Sequence, residues 1–408
     1  MKKIVKFSLY TLLSVGCMSL GSCSADDFTS QQTNFRDPNV INMSVLLNNP
    51  QDVSKGYTRA AETTLTSLET VGNNFMVWGY FSPSASSAGA GNLYVGDSHA
   101  VGTVISYTSI GWDYADVSKK ALWPSTDNPL NFQAVTPYDY GTITNTPADD
   151  IAKVAMTVSV PSDQAQQKDL LFGHEEEVTQ SSHDNSVQLT FEHAMAQVGF
   201  QARKTLSSLS VVIGGVTIHN VRNSATIGYT GALTGSKRAL AVSDYAASVA
   251  DYAISMTSSA VTINGATAVT LNAEDGVLMM MPQSGTDSPD AWGTSSSSAV
   301  PITTADIEGS EQSYLEVLCR VSSGSSYVIG TPTTFGSIYI PFKAEWGVGC
   351  SYIYTLSFGS GAGGYDENGN IVLPLISYSV ESMDDWKEVE SSTLPKGTET
   401  VNNSEDIL

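Results

Sequence analysis

Cys23 is the residue most clearly placed for a covalent modification. Leu20, Gly21 and Ser22 precede it, and small residues directly before a cysteine fit the lipobox, the sequence at which a membrane-embedded peptidase cuts. The cysteine thiol then takes a diacylglyceryl group through a thioether. An ordinary signal peptide with an incidental cysteine is the alternative, and the spacing favours lipidation of Cys23.

The residues before Cys23 predict export. Three lysines are followed by an apolar stretch from Phe7 to Leu20, which is too short to remain as a membrane-spanning helix. Residues 1–22 are therefore predicted to be a lipoprotein signal peptide. Because each buried methylene contributes about 0.8 kcal/mol, two or three acyl chains, palmitate among them, would hold Cys23 durably on the outer membrane.

A second candidate for covalent chemistry is the peptide bond between Arg59 and Ala60. Arg59 lies in a glycine-containing connector between one isolated apolar segment and the main body of the chain. A basic residue in an exposed connector is a predicted site of proteolysis. A merely solvated arginine is the alternative.

The remaining cysteines leave two interpretations open. Cys17 would leave with the signal peptide, and Cys319 and Cys350 each continue the apolar alternation of a predicted strand. If those strands are neighbours, a disulfide can form in an oxidising compartment. Two buried free thiols are the equal alternative. The pair has no histidine at ligand spacing, so no zinc site is predicted.

No catalytic or metal-binding pattern is found in the sequence. None of the five histidines falls in a His-Glu-x-x-His motif, and no Gly-x-Ser-x-Gly motif occurs. His193 lies in a predicted core-facing strand, which favours a structural histidine bonded to the backbone. We therefore predict no catalytic residue, no metal and no cofactor, and a protein that is not an enzyme.

The charge of the chain excludes one class of partner. Its 19 Lys and Arg residues stand against 41 Asp and Glu residues, for a formal net charge of −22. Because proteins hold phosphate backbones with Lys and Arg, we predict no nucleic-acid partner.

The spacing of apolar residues predicts an all-β fold. Ile41, Met43, Val45 and Leu47 alternate with their neighbours as in a strand, residues 73–81 are apolar on both faces, and no segment keeps a helical period. A change of parity near His193 indicates a bulge or a strand that crosses between sheets. The connector at 204–210 is the predicted boundary between two antiparallel β-sandwich domains, residues 60–205 and 206–386, before a polar tail at 387–408.

Several short motifs, in order along the chain, resemble the fimbrillin (Mfa-like) family, the lipoprotein precursors of type V pili. They are Leu20–Cys23, Arg59-Ala60, Val77–Phe81, Trp123-Pro124, Phe132–Ala134, Asp169–Phe172, Leu189–Ala194, Met281–Gln283, Trp346–Gly349, Tyr352–Tyr354 and Asp384–Trp386.

The resemblance implies a fold, a role and a route of assembly. The fold would be two transthyretin-like β-sandwich domains, and the role a non-enzymatic building block of a fimbria that supports adhesion. An Arg-specific protease would cut after Arg59 and remove residues 23–59 as a propeptide. A strand from another pilus subunit, including other copies of this chain, would then fill the groove that the propeptide leaves. Ile41, Met43, Val45 and Leu47 would form the placeholder strand of the propeptide.

The strand that would be given to the next subunit is less clearly marked. The segment from residue 371 to 380 is apolar enough, and it is either the donor strand or the last strand of the C-terminal domain. Its apolar members are Ile371, Leu373, Leu375, Ile376, Tyr378 and Val380.

A binding role is the alternative to a polymer. A permanently lipid-anchored surface protein or tip adhesin would recognise a host glycan or protein through loops such as Ser82–Gly91. The aromatic side chains considered as binding platforms are Trp112, Tyr114, Trp292 and Tyr314, and core packing is the default for each.

Overall fold

Nearly all of the regular structure of the protein is β-strand, as the alternating apolar pattern predicts. The computed structural model describes residues 37–47, 65–82, 92–124, 128–145, 154–182, 186–234, 237–273, 277–292, 311–360, 364–366 and 376–383. The helical pieces in these ranges are single turns, at Leu65–Leu68, Val117–Lys119 and Gln164–Gln166. No helix in the described residues is long and apolar enough to cross a membrane.

The described strands are numbered in chain order. The first ten are β1 (Asn42–Leu47), β2 (Asn74–Phe81), β3 (Leu93–Val95), β4 (Thr103–Thr108), β5 (Gly111–Tyr114), β6 (Leu130–Thr136), β7 (Gly141–Asn145), β8 (Val154–Ser159), β9 (Leu171–Val178) and β10 (Ser186–His193). The others are β11 (Ala196–Lys204), β12 (Leu209–Arg222), β13 (Ser224–Thr234), β14 (Lys237–Ser243), β15 (Val249–Ala253), β16 (Val261–Ile263), β17 (Val269–Thr270), β18 (Leu278–Met280), β19 (Tyr314–Ser323), β20 (Ser326–Ile329), β21 (Gly336–Pro341), β22 (Ser351–Phe358) and β23 (Ile376–Met383).

These strands form four sheets. An eight-stranded sheet has the order β1-β10-β9-β6-β2-β4-β5, with β3 on β2, and a four-stranded sheet has the order β14-β13-β8-β7. A five-stranded sheet runs β17-β11-β22-β23 with β18 on β11, and a six-stranded sheet runs β15-β12-β19-β20 with β16 on β12 and β21 on β19. Most neighbours are antiparallel, as predicted, but β1 pairs with β10 and β11 pairs with β22 in parallel.

The eight-stranded sheet is buried on both faces. In β2, Phe75 and Val77 face one apolar core, while Trp78 and Tyr80 face another. The prediction of a strand that is apolar on both sides is therefore confirmed. The smaller core, which contains Phe75 and Val77, is formed mainly by strands of this sheet, together with Val40, Leu68 and Trp123.

Strands from both sides of the predicted domain boundary share a sheet. The connector between β11 and β12 does fall at residues 205–208, but β8 pairs with β13 across it in the four-stranded sheet. The larger apolar core likewise contains residues from before and after the connector. The two transthyretin-like domains remain a prediction.

The parity change near His193 marks a crossing between sheets. The chain passes from β10 in the eight-stranded sheet to β11 in the five-stranded sheet within three residues. His193 is buried, and its Nδ1 lies 2.9 Å from a carboxylate oxygen of buried Asp169. The prediction placed His193 on the backbone; the side-chain partner that the structure gives is the Asp169 carboxylate.

Cys319 and Cys350 are both buried, and neither forms a disulfide. Cys319 lies in β19 of the six-stranded sheet, whereas Cys350 directly precedes β22 of the five-stranded sheet. The condition for a disulfide, that their strands be neighbours, is not met. The structure therefore corresponds to the free-thiol alternative.

His219 ties three strands of the six-stranded sheet together. Its Nδ1 lies 3.0 Å from the carboxylate of Asp251 on β15, its Nε2 lies 3.2 Å from that of Glu316 on β19, and its ring stacks on Tyr314. Desolvation alone would lower the pKa of His219, but hydrogen bonds to the two carboxylates and their charges outweigh it and raise the pKa from 6.5 to about 9.

The raised pKa of His219 predicts a loss of stability in alkaline solution. A group whose pKa is higher in the folded state stabilises that state fully below its unfolded pKa of 6.5, and this contribution disappears as the pH rises through about 9. The free energy of unfolding lost by His219→Gln should therefore be about 1–2 kcal/mol larger on the acid side of this window than on the alkaline side. Urea unfolding of the unmodified chain and of His219→Gln, each below pH 6.5 and above pH 9, measures this loss. A loss of unfolding free energy that grows with pH would contradict the expectation.

Candidate functional site

β1 fills a groove at the edge of the eight-stranded sheet. It pairs in parallel with β10 along its whole length, from Asn42 opposite Ser186 to Leu47 opposite Phe191. On its other side lie residues 121–123 and the end of β5. We name the space that β1 occupies between these elements the β1 groove.

The apolar side chains of β1, and that of Ile41 directly before it, point into the smaller core. Ile41, Met43 and Val45 are buried, whereas Leu46 is 43% exposed and Leu47 is half-buried. The alternation predicted for this segment is thus present in the structure. A fully buried side chain of this size stabilises the fold by about 1.5–3 kcal/mol, so the three side chains hold β1 firmly.

The floor of the groove is aromatic. Phe75 of β2 contacts Trp112 of β5 and Phe191 of β10, with ring centroids 4.9 and 5.4 Å apart. All three rings are buried together with the side chains of β1 in the same core. Without β1, this aromatic surface would lose its cover and β10 would lose its neighbour.

The chain directly before β1, residues 39–41, is held on the side away from β10. The N–H of Ile41 donates to the carbonyl oxygen of Ala121 over 2.9 Å, and the N–H of Trp123 donates to that of Asn39 over 2.8 Å. These two bonds flank an antiparallel bridge between Val40 and Leu122. The hydroxyl of Tyr114, at the end of β5, donates to the carbonyl oxygen of Ile41 over 2.9 Å. We name Tyr114 and residues 121–123 the clamp.

The Tyr114 hydroxyl is buried, and burial raises its pKa far above its ordinary value. The protonated hydroxyl is the form that donates to Ile41. A further hydroxyl, that of Tyr94, donates to the carbonyl oxygen of Leu122 over 2.7 Å and fixes the 121–123 segment from outside. In chemical terms, the groove can bind an extended strand by main-chain hydrogen bonds and apolar contact.

The part of the predicted donor segment that the structure describes is a paired strand. Ile376, Tyr378 and Val380 lie in β23, which is antiparallel to β22 and ends the five-stranded sheet. Ile376 is buried, Tyr378 packs against Phe342 and Tyr354, and Val380 is 39% exposed. Ile371, Leu373 and Leu375 lie outside the described residues.

Other predicted positions also lie outside the described residues. They are the signal peptide at 1–22, the lipidation site Cys23, the cleavage site Arg59-Ala60 and the tail at 387–408. The chemistry predicted for them is therefore untested by the structure. No group of three or more acidic, histidine or cysteine side chains in the described part of the chain is arranged to hold a metal ion.

The four aromatic side chains considered as binding platforms are buried. Trp112 and Tyr114 belong to the core behind β1, and Trp292 and Tyr314 form a small aromatic cluster with Tyr339 and Tyr365. Core packing, the default interpretation, describes all four. Of the predicted loop at 82–91, the structure describes only its first residue.

Sequence patterns did not reveal the clamp. Tyr114 stands 73 positions from its partner Ile41, and residues 121–123 carry no alternation that marks them as a partner for β1. The aromatic type of Tyr114 was noted, but as a surface platform. The hydroxyl of a core tyrosine commonly needs a partner, which is the signal that could have suggested such a bond.

Comparison with known proteins gives one family and a shared fold. Residues 58–372 match the sequence model of the fimbrillin-like family. A fimbrial protein from Bacteroides vulgatus has a similar structure, with a TM-score of 0.53 and 15% identity over 84% of this chain and 98% of that chain. A fimbrial assembly protein from Parabacteroides distasonis has a TM-score of 0.38 and 12% identity over 85% of this chain and 97% of that chain. No curated protein matches the sequence.

Proposed function

The chain belongs to the fimbrillin-like family, and from this we propose that it is a structural subunit of a fimbria that polymerises by exchange of β-strands and supports adhesion. The precursor is exported to the outer membrane with a lipid on Cys23. A protease cuts after Arg59, the propeptide carrying β1 leaves the β1 groove, and a strand of another subunit replaces it on the cell surface. No step of this route needs an enzymatic activity of the chain itself.

The observation that carries the proposal is the position of β1. It is the first described strand, it lies at the edge of a sheet, and it supplies buried side chains to a core that the following strands enclose. A strand so placed can leave without breaking the order of the other strands. Its departure would expose apolar surface and the backbone groups of β10, and an incoming strand would cover both.

β23 supports the choice of another copy of this chain as a partner. Its residues Ile376-Ser-Tyr-Ser-Val380 follow the pattern of Ile41-Asn-Met-Ser-Val45 in β1, with Ile, Ser and Val at the same three places. In the groove of a neighbour, Val380 would take the buried place of Val45, whereas in β23 it is 39% exposed. We propose residues 371–380 as the donor strand, with Ile376 in the place of Ile41.

The adhesin alternative gains nothing from the described residues. It relied on loops such as Ser82–Gly91, of which the structure describes only Ser82, and the four aromatic side chains considered as platforms are buried. Strand exchange is therefore the function that we propose, and a host glycan or protein stays outside it.

Cleavage of the purified full chain by an Arg-specific protease tests the proposal. We expect polymers, seen by size-exclusion chromatography and electron microscopy, to appear as the bond after Arg59 is cut, because cutting frees β1 to leave. The uncut chain, kept under the same conditions, should remain monomeric. Complete cleavage after Arg59 with only monomers as the product would contradict the proposal.

A further inference from the structure

The hydrogen bonds of the clamp all go to main-chain atoms of the chain directly before β1, and none of the three goes to a side chain there. Three hydrogen bonds define the clamp. The N–H of Ile41 donates to Ala121, the N–H of Trp123 donates to the carbonyl oxygen of Asn39, and the Tyr114 hydroxyl donates to the carbonyl oxygen of Ile41. Every amino acid except proline offers these same groups. The clamp therefore does not depend on the sequence of the strand that it holds.

We propose that the clamp selects the direction of the strand that enters the β1 groove, and that it accepts a strand from a second copy of this chain only when that strand runs parallel to β10. This inference rests on the proposed function, because it concerns the strand that replaces β1.

Geometry at the position of Ile41 leads to this selection. The Ile41 side chain points into the core, while its N–H and C=O both point to the clamp. In a strand, the N–H and C=O of one residue share an edge, and successive residues alternate between the two edges. If a reversed strand places an apolar side chain where that of Ile41 lies, the N–H and C=O of the same residue turn towards β10. The clamp then finds no main-chain partner opposite it at this position.

Apolar pockets alone would not make this choice. They repeat every second residue, so an alternating strand can fill them in either direction. A reversed strand in this groove would leave the buried Tyr114 hydroxyl without the carbonyl oxygen to which it donates, and the partly buried Ala121 carbonyl group without its N–H donor. A buried donor left without an acceptor costs more than the bond itself contributes. The clamp therefore acts against the reversed strand.

Labelled peptides with the sequence of residues 37–47 test the selection, using the full chain after cleavage at Arg59. The forward peptide should enter the groove, and a peptide with the same residues in reverse order should bind at least about tenfold more weakly. N-methylation at Ile41 removes the donor to Ala121 and should weaken binding about tenfold. N-methylation at Val45 is the matched control and should have little effect, because its N–H faces the same edge of the strand but lies beyond the clamp.

Variants of the chain give an independent readout. Tyr114→Phe removes only the hydroxyl and should speed release of the forward peptide about fivefold, whereas Tyr107→Phe, a partly buried tyrosine of β4 beside Trp112, should not. Equal binding of the forward and reversed peptides, or equal effects of the two methyl groups, would overturn the inference.

The two proposals fail in different ways. If no peptide enters the cleaved chain, strand exchange is wrong, and the clamp is then judged on the uncut chain. There, Tyr114→Phe should speed hydrogen exchange of the Ile41 amide about fivefold. An unchanged exchange rate would overturn the clamp as well.

Discussion

Cells that carry Arg59→Ala are expected to export the chain and to assemble no fibres from it. Eleven residues lie between Leu47, the end of β1, and Arg59. As long as this connector is intact, β1 is tethered beside its own groove. A short tether gives β1 an effective concentration in the millimolar range at its groove. The tethered strand is therefore about 10²–10⁴ times harder to displace than the same strand in free solution. The cut converts a tethered strand into one that can diffuse away.

Fibre length on the cell surface, measured by electron microscopy, checks this expectation. Arg59→Lys keeps the positive charge but removes the site of an Arg-specific protease, and it should behave as Arg59→Ala does. Lys55→Ala, in the same connector, should leave fibres of normal length. Normal fibres from Arg59→Ala would show that cleavage at this bond is not needed.

A disulfide between β1 and the clamp is expected to stop assembly after cleavage has taken place. Val40 and Leu122 face each other in an antiparallel bridge, flanked by the Ile41–Ala121 and Trp123–Asn39 hydrogen bonds. In such a non-hydrogen-bonded pair the Cα atoms lie about 4.5 Å apart, a separation that a disulfide spans. In Val40→Cys/Leu122→Cys, β1 should therefore remain in its groove even when the chain is cut after Arg59.

The readout is polymer formation by the cleaved double variant with and without a reductant. We expect almost none in oxidising buffer and recovery to the level of the unmodified chain on reduction. Each single cysteine variant should polymerise in both buffers. Cys319 should not interfere, because burial keeps its thiol inaccessible and raises its pKa. Equal polymerisation of the double variant in both buffers would show that β1 need not leave.

The sequence predicts which faces of strands are buried better than which strands are neighbours. The alternation of Ile41, Met43 and Val45 and the two apolar faces of β2 both follow from the period of two, since burial repeats along each strand. The parallel pairing of β1 with β10 joins residues far apart in the chain, and nothing local specifies it. The same limit explains Cys319 and Cys350, whose faces were predicted but whose strands belong to different sheets.

Only part of the candidate site could be predicted from the sequence. The alternating apolar residues identified β1 as a strand, and the family resemblance indicated cleavage after Arg59. The clamp was not predicted, because two of its three hydrogen bonds join main-chain groups that every residue has, and the third joins residues that are 73 positions apart. His193 shows the converse: its strand position predicted a buried structural role, but only the fold places Asp169 beside its ring.

The central claim is that β1 occupies its groove only until another strand replaces it. Mass spectrometry of subunits from fibres sheared off cells tests this most directly, because it shows where each chain begins and whether residues 42–47 are still present. The account predicts subunits that begin at Ala60, with no peptide from β1 in the fibre. Fibres whose subunits begin at a lipid-bearing Cys23 and retain β1 would contradict it.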